Sequence, residues 1–350
     1  MTGAVTRLRR SHLGTPGWTR VRTGRGFRYT DAEGNVLHDP AVIERIEALV
    51  IPPAWRDVWI CPWPNGHIQA TGTDAAGRLQ YRYHDAWRRQ RDQAKHERIL
   101  LVAQRLPQAR ERIAGDLDLP GMPRERALAT AARLLDLGFF RIGSDSYAEE
   151  HGSYGLTTLL RAHVTLRRSP PAAVFDFIAK SGQHQVKTII DPAALAAISL
   201  MRRRRSGPDE LLAFRTGSEW HRIDAHDVNA YLTHIFGMGD DPCPVSAKDF
   251  RTWHGTTFMA VALAVSESPP RTPSARRRML ARSYREVAHY LGNTPAVCRS
   301  SYVDPRLVER WERGHTIRPC LTELGAGTEF GELATHGVVE EAVRDLLAEA

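Results

Sequence analysis

The chemistry available to this chain gathers on five residues: Tyr302, Arg141, Arg251, Lys180 and Asn293. Tyr302 closes the stretch LGNTPAVCRSSY. Within it, Gly292 ends one helical pattern, Thr294 can cap the next, and Pro295 suits a first helical position. That places Tyr302 at the far end of a short helix, just before the breaker Asp304-Pro305. A phenol held at a helix end among arginines is a candidate covalent nucleophile toward a phosphodiester. A tyrosine alone is ordinarily a packing residue, so the reading depends on what lies upstream. Arg141 follows Phe139 and Phe140, directly after a helix stop at Gly138, so its stem can pack while its guanidinium leaves the core. Lys180 falls at the tip of a β-hairpin, and Arg251 in the first turns of a helix opened by the capping-box pair Ser246 and Asp249. Asn293 is the polar residue after Leu291-Gly292.

Composition narrows the partners. A chain of 350 residues can bury a sizeable core and should hold about two domains. It is 42% hydrophobic, with no apolar run near the length of a bilayer span, so no membrane partner is expected. The first residues, MTGAVTRLRRSHLG, are basic without an apolar segment behind them, which argues against a secretory signal. Cys61, Cys243, Cys298 and Cys320 are scattered without C-x-x-C spacing. That pattern disfavours a zinc site or a disulfide framework and fits a reducing, cytoplasmic location. The formal charge of +8 points to an anionic polymer, with nucleic acid foremost and a merely charged surface as the alternative. Of 48 basic Lys and Arg side chains only Lys95, Lys180, Lys187 and Lys248 are lysine. Against that arginine bias, each lysine is a candidate for work arginine cannot do, which is to give up a proton.

The elements that must position these residues fall into two groups, giving an α+β fold. Residues 1–90 read as a small β-rich domain of short strands and turns, with a helix near Ala41–Leu49. Across Leu79–His84, Gln80 alternates with Tyr81 and Arg82 with Tyr83. Basic, amide and aromatic side chains interleaved on a strand suit a nucleic-acid groove, or else a solvated antiparallel strand. Residues 91–350 read as a larger, mainly helical domain containing a short antiparallel sheet. Ile99, Val102, Ala103 and Leu106 make one helical stripe, which Pro107 is expected to end. Pro123 opens a second helix that stops at Gly138. HVTLRR, AVFDFIAK and HQVKTII then switch to period two, with a turn at Ser181-Gly182-Gln183. Arg202–Arg205 reads as a basic surface segment, and Gly325–Ala350 as a short helical tail without chemistry of its own.

Taken in order, an arginine after a helix, a lysine on a hairpin, a second arginine in a helix, a polar residue after Leu-Gly and a tyrosine form a distinctive series. It resembles the type IB DNA topoisomerases, specifically the small poxvirus-like form found in bacteria. The matching stretches are GTDAAGRLQYRYH, FFRIGSDSY, GLTTL, FIAKSG, KDFRTWHGT, LGNTP and RSSY. The resemblance implies that Tyr302 attacks a backbone phosphorus and forms a 3′-phosphotyrosyl enzyme, with no need for ATP, a metal or any other cofactor. By the same resemblance, Arg141 and Arg251 clamp the non-bridging oxygens, and Lys180 protonates the leaving 5′-oxygen. It further implies a monomeric clamp on duplex DNA, nucleoid-associated, with Arg78, Gln80, Tyr81, Tyr83 and Tyr147 as DNA contacts.

One position departs from the best-known members, which carry histidine where this chain has Asn293. An amide can donate a hydrogen bond to a phosphate oxygen but cannot carry charge. Two rival readings remain open on the sequence. A tyrosine recombinase would share the Arg–Lys–Arg–Tyr logic, although the β-rich first domain argues against it. A non-catalytic architectural DNA binder would share only the basic surface.

Overall fold

The computed structural model describes residues 7–24, 26–241, 243–266, 269–326, 328 and 331–348, and it divides the chain into two compact units, 1–97 and 98–350. The fold is α+β, as the alternation of patterns implies.

In the first unit, β1 (Trp18–Thr23), β2 (Gly26–Thr30), β3 (Arg56–Ile60), β4 (Ile68–Thr73) and β5 (Leu79–Tyr83) form one antiparallel sheet in the order β2-β1-β3-β4-β5. A single helix, α1 (Pro40–Ala48), buries Ile46 with Val58, Ile60 and Ala70 in a small core. Asp39 caps α1 by accepting from the Ala41 amide at 2.9 Å, and Pro40 occupies the first turn. Arg45 of α1 donates to Gln69 Oε1 at 2.8 Å and to the Cys61 carbonyl at 2.7 Å, tying the helix to the sheet. β5 lies at the sheet edge. Leu79, Tyr81 and Tyr83 alternate as its exposed positions, with Gln80 and Arg82 on the other face.

α2 (Asp85–Leu117) runs through the residues where the two units divide, and residue 90 lies inside it. Pro107 does not end this helix, contrary to the sequence expectation. The proline removes one helical donor, but the buried stripe of Ile99, Val102 and Leu106 continues through Ala109, Ile113 and Leu117. Burial on both sides of the proline outweighs the local defect.

The second unit is built around α3 (Arg124–Gly138), nearly every residue of which is buried from Ala127 onward. After the short α4 (Asp145–His151), β6 (Val164–Arg168), β7 (Pro171–Ala179) and β8 (Gln183–Ile189) make a three-stranded antiparallel sheet. Phe175, Phe177 and Ala179 face its core side, while Asp176 and Ile178 are exposed. The chain continues through α5 (Pro192–Arg203), a hairpin of β9 (Ala213–Thr216) and β10 (Glu219–Arg222), and α6 (Ala225–Ile235). It ends in α7 (Ala247–Val265), α8 (Pro273–Leu291), α9 (Pro295–Ser301), α10 (Arg306–Glu312) and α11 (Val338–Ala348).

Burial amends the reading of two segments. Of the run Arg202–Arg205, Arg202, Arg203 and Arg205 are exposed as expected, but Arg204 is not. It is buried and donates to the carbonyls of Met201, Pro208, Glu210 and Leu211, so it holds the loop after α5. Burial lowers its pKa to about 10. The C-terminal segment is helical as expected over Val338–Ala348, and this α11 also brings Glu340 into a buried polar network. Arg110 of α2 donates to both oxygens of Asp136 on α3, at 2.8 and 3.0 Å, and to both oxygens of Glu340, at 2.5 and 3.0 Å. Trp253 Nε1 donates to Glu340 at 2.7 Å, and His254 lies 3.1 Å from Asp136. Asp136, His254 and His336 place one ligating atom each within 4.8 Å of one another, but Arg110 already neutralises the carboxylate among them. Burial alone would raise the Asp136 carboxyl, yet Arg110 and the neighbouring histidines hold it well below the usual carboxylate range.

Replacing Arg110 by methionine should therefore leave two buried carboxylates without their counter-ion. The expected loss of stability is about 3–5 kcal/mol by urea denaturation. A loss under about 1 kcal/mol, the scale of an exposed pair, would show that the network does not depend on this cation.

Candidate active site

α3 ends on Gly138, and Phe139 then takes a left-handed conformation (φ 53°, ψ 33°) that turns the chain sharply. The aromatic rings of Phe139 and Phe140 diverge. Phe139 packs edge-on against His254 and Phe258, whereas Phe140 packs on Phe175 and Phe177 of β7. A Cβ at residue 138 would meet the Phe140 ring at 2.3 Å, so the glycine is what permits this turn. With both rings anchored, Arg141 emerges half-buried from the core. Its backbone is held from the other side by GLTTL: Leu156 and Thr157 donate their amides to the Arg141 and Ile142 carbonyls, both at 2.8 Å. Gly143 and Gly155 pass so close that a Cβ on Gly155 would stand 2.4 Å from the Gly143 Cα.

Arg141 Nη2 donates to the Gly292 carbonyl at 2.6 Å and to Asn293 Oδ1 at 2.5 Å. Asn293 follows the left-handed Gly292 that terminates α8. Its oxygen is taken by Arg141, so the amide is oriented, and Nδ2 is left buried without a hydrogen-bond partner. An oriented and unsatisfied donor is suited to an incoming acceptor.

Arg251 lies in the second turn of α7 and is only 3% exposed. The expected capping box forms, with the Ser246 amide donating to Asp249 at 2.8 Å. The Arg251 guanidinium donates to the Phe139 carbonyl and, at 2.8 Å, to the Leu291 carbonyl, and its Nε is buried without a hydrogen-bond partner. It stands 5.0 Å from the centroid of the Tyr302 ring. Burial pulls the Arg251 guanidinium below its ordinary value, and attraction to Tyr302 opposes this. Arg141 is lowered in the same way, first by burial and then by repulsion from Arg251. Arginine remains charged near neutrality despite such shifts.

Tyr302 comes directly after the last residue of α9, whose amino end is capped by Thr294 accepting from the Val297 amide at 3.3 Å. Its backbone lies against Gly255, one turn beyond Arg251 on α7. A Cβ at residue 255 would meet the Tyr302 carbonyl at 2.7 Å. The hydroxyl of Thr256 reaches that carbonyl at 3.4 Å and accepts from the Asp304 amide at 3.2 Å. Asp304 is fully buried and paired with Arg306, which fixes the chain just after the phenol.

Lys180 stands at the tip between β7 and β8, exposed, beside Ser181 in a left-handed conformation. It shares the lining of a cavity of about 130 Å³ with Arg141, Ser144, Ser153 and Tyr154. Four of the five residues proposed from sequence thus meet at the ends of α3, α8 and α9, and the fifth joins Arg141 at a common cavity. Sequence reasoning missed Gly255, whose role depends on a contact 47 positions away that no local pattern announces.

Of the residues proposed to contact nucleic acid, Tyr81 and Tyr83 stack on the exposed face of β5, with centroids 5.7 Å apart and planes 12° from parallel. Gln80 and Arg78 are both bonded to Asp74 in the turn before that strand, at 2.9 and 3.0 Å. Tyr147 is on α4, and its side chain lies outside the described residues.

Comparison with known proteins agrees with this arrangement. Residues 84–313 match the model of the eukaryotic DNA topoisomerase I catalytic core, and residues 26–74 match the bacterial DNA topoisomerase IB N-terminal domain. The DNA topoisomerase 1B of Acanthamoeba polyphaga mimivirus is 30% identical over 292 residues, which is 81% of this chain and 84% of the relative. DNA topoisomerase 1 of Schizosaccharomyces pombe is 28% identical over 140 residues, covering 40% of this chain and 16% of the relative. With residues 84–313 matched to that catalytic core and a relative 30% identical over 81% of the chain, the chain belongs to the type IB DNA topoisomerases and is an isomerase acting on DNA.

Proposed function

We propose that the enzyme relaxes supercoiled duplex DNA by breaking and resealing one strand through Tyr302. The phenol oxygen forms a bond to a backbone phosphorus as the bond from phosphorus to the 5′-oxygen breaks. The phenol proton is lost to solvent, and the departing 5′-oxygen takes a proton from Lys180. The 3′-phosphotyrosyl ester stores the bond energy, so the free strand can rotate and then reattack without ATP. Arg141 and Arg251 neutralise the charge that builds on the non-bridging oxygens, and Asn293 Nδ2 adds a neutral donor. The scheme calls on no metal, and the protein acts as a monomer within the cytoplasm, on the nucleoid.

The observation that carries this reading is the placement of the Tyr302 ring 5.0 Å from the buried Arg251 guanidinium. A buried cation with an unpartnered N–H beside a phenol is costly unless an anion joins them. The first unit supports the same reading through the exposed Tyr81–Tyr83 stack, an apolar and polar-tipped surface of the kind that lies against a groove. Among the described residues no helix is long and apolar enough to cross a membrane.

The deciding experiment denatures a reaction on labelled duplex DNA in the presence of EDTA and looks for protein covalently attached at a 3′-phosphate. Tyr302→Phe should give no adduct; an undiminished adduct would sink the assignment. Strand exchange at defined sites without relaxation of a plasmid would favour a recombinase instead. Arg251→Ala should slow single-turnover cleavage by about 100- to 1,000-fold. The loss in Asn293→Ala should be about tenfold smaller, because neutral donors bond more weakly than charged ones.

A subtler variant tests positioning. Gly255→Ala should slow cleavage by about 100-fold with the fold intact, since its Cβ displaces the Tyr302 backbone. Gly115→Ala, where a Cβ meets nothing within 4 Å, serves as the helical control and should cleave normally. On the other unit, Tyr81→Ala combined with Tyr83→Ala should raise the Kd for duplex DNA about tenfold, the equivalent of about 1.4 kcal/mol. Unchanged binding would remove this strand from the interface.

A further inference from the structure

A cleft of about 530 Å³ is lined by Phe139, Lys187, His289, Gly292 and Asn293, among others. Lys187 is on β8 and pairs in register with Phe175, so it shares the core-facing side of the sheet rather than the exposed side of Asp176 and Val186. Its ammonium lies 5.6 Å from the Phe140 ring centroid and 5.9 Å from that of Phe139. Those two rings carry the backbone from which the arginine clamp is built. Phe139 gives its carbonyl to Arg251, and Phe140 immediately precedes Arg141.

This is an unusual place for an amine. Burial lowers its pKa to about 7, and repulsion first from Arg251 and then from Arg141 adds to the effect. The other titratable groups lining the cleft are His289 and Tyr290 of α8 and His184 of β8, and His184 is bonded to Asp176 at 2.6 Å. The charges that act most strongly on Lys187 are therefore both positive. An anion seated at Arg141 and Arg251 would cancel that field and favour the charged amine again.

We propose that Lys187 is a proton-linked third cation of the active site, neutral while the arginines hold no anion and protonated from solvent when a backbone phosphate binds them. Lys187 acts through the arginines, as a positioning residue that adds positive charge behind the phosphate. The device gives the enzyme a charge that it does not have to bury while DNA is absent. Arginine could not do this, because it stays protonated throughout. The inference rests on the phosphate-binding reading of Arg141 and Arg251.

The test uses the full chain carrying Tyr302→Phe, so that binding is observed without cleavage. Duplex DNA binding is followed by calorimetry at pH 8 in two buffers of different ionisation enthalpy, which yields the protons taken up. The parent should take up about one more proton than the same protein with Lys187→Met or Lys187→Gln. His289→Gln should leave the uptake unchanged. Equal uptake with and without the lysine, or loss of uptake on changing His289 instead, would overturn the proposal. Failure of every variant, parent included, to bind duplex DNA would overturn the phosphate-site reading itself, a result distinct from binding without a proton difference.

A second readout uses the cleaving enzyme. Above the pKa that Lys187 has in the complex, the wild-type single-turnover rate should fall as pH rises, because the positive charge is lost. Lys187→Arg keeps its charge, so it should lose the part of the fall that Lys187 causes and keep only the part due to groups common to both proteins, such as the proton donor Lys180. Parallel pH profiles for the two proteins would count against a titrating Lys187.

Discussion

Arg251 commits donors to two carbonyls, those of Phe139 and Leu291, and both belong to the ends of helices. A helix leaves its last carbonyls without intrahelical partners, and a buried carbonyl left bare costs about 1–3 kcal/mol. Here one guanidinium satisfies the end of α3 and the end of α8 together. The geometry of the candidate site depends on that junction, because each helix end leads directly into one of its residues. Arg141 comes two residues after Phe139, and Asn293 two residues after Leu291. The same guanidinium faces Tyr302. A single side chain therefore closes two helices and faces the Tyr302 ring.

The junction leaves donors in reserve. Arg251 Nε and Asn293 Nδ2 are buried and without partners, while Arg141 rests on Gly292 and Asn293. A backbone phosphate would meet N–H groups already aimed, which is how a site stabilises developing charge without reorganising. The cost is a buried cluster of basic groups: burial first, and Arg251 after it, lowers both Arg141 and Lys187. Two arginines repel one another before an anion binds, and the same field disfavours the charged form of Lys187; an anion seated at the arginines relieves both. Repulsion is thus held in the free enzyme and released on binding.

Much of this was legible in the sequence, and the reason is that the site sits at helix ends. Helix ends are written locally: Gly292 and Thr294-Pro295 mark the turn before Tyr302, Ser246 and Asp249 start the helix of Arg251, and Gly138 stops the one before Arg141. The period-two pattern likewise separated the core face of β7 from its exposed face and put Lys180 at the tip. What the sequence hid depends on how the chain packs around a residue. Pro107 stays helical because buried neighbours on both sides hold it, and Arg204 is buried because carbonyls of Met201 and of the loop after α5 turn to meet it. Lys187 stood out as one of four lysines, yet only the register with Phe175 places it behind the arginines.

The C-terminal helix enters the same logic through α7. Trp253 and His254 lie within one helical turn of Arg251 and point into the network of Arg110, Asp136 and Glu340. An α-helix is stiff, so fixing the rotation of that turn also fixes the directions of Arg251 and Gly255. Glu340 on α11 accepts from Trp253, and Asp136 on α3 contacts His254, so the helix carrying Arg251 is held on two sides by buried bonds. The network carries no chemistry, but its geometry reaches the phenol in two steps: from Glu340 to Trp253, and along α7 to Arg251 and Tyr302. A segment that reads as a short helical tail without chemistry thereby helps define where Arg251 points.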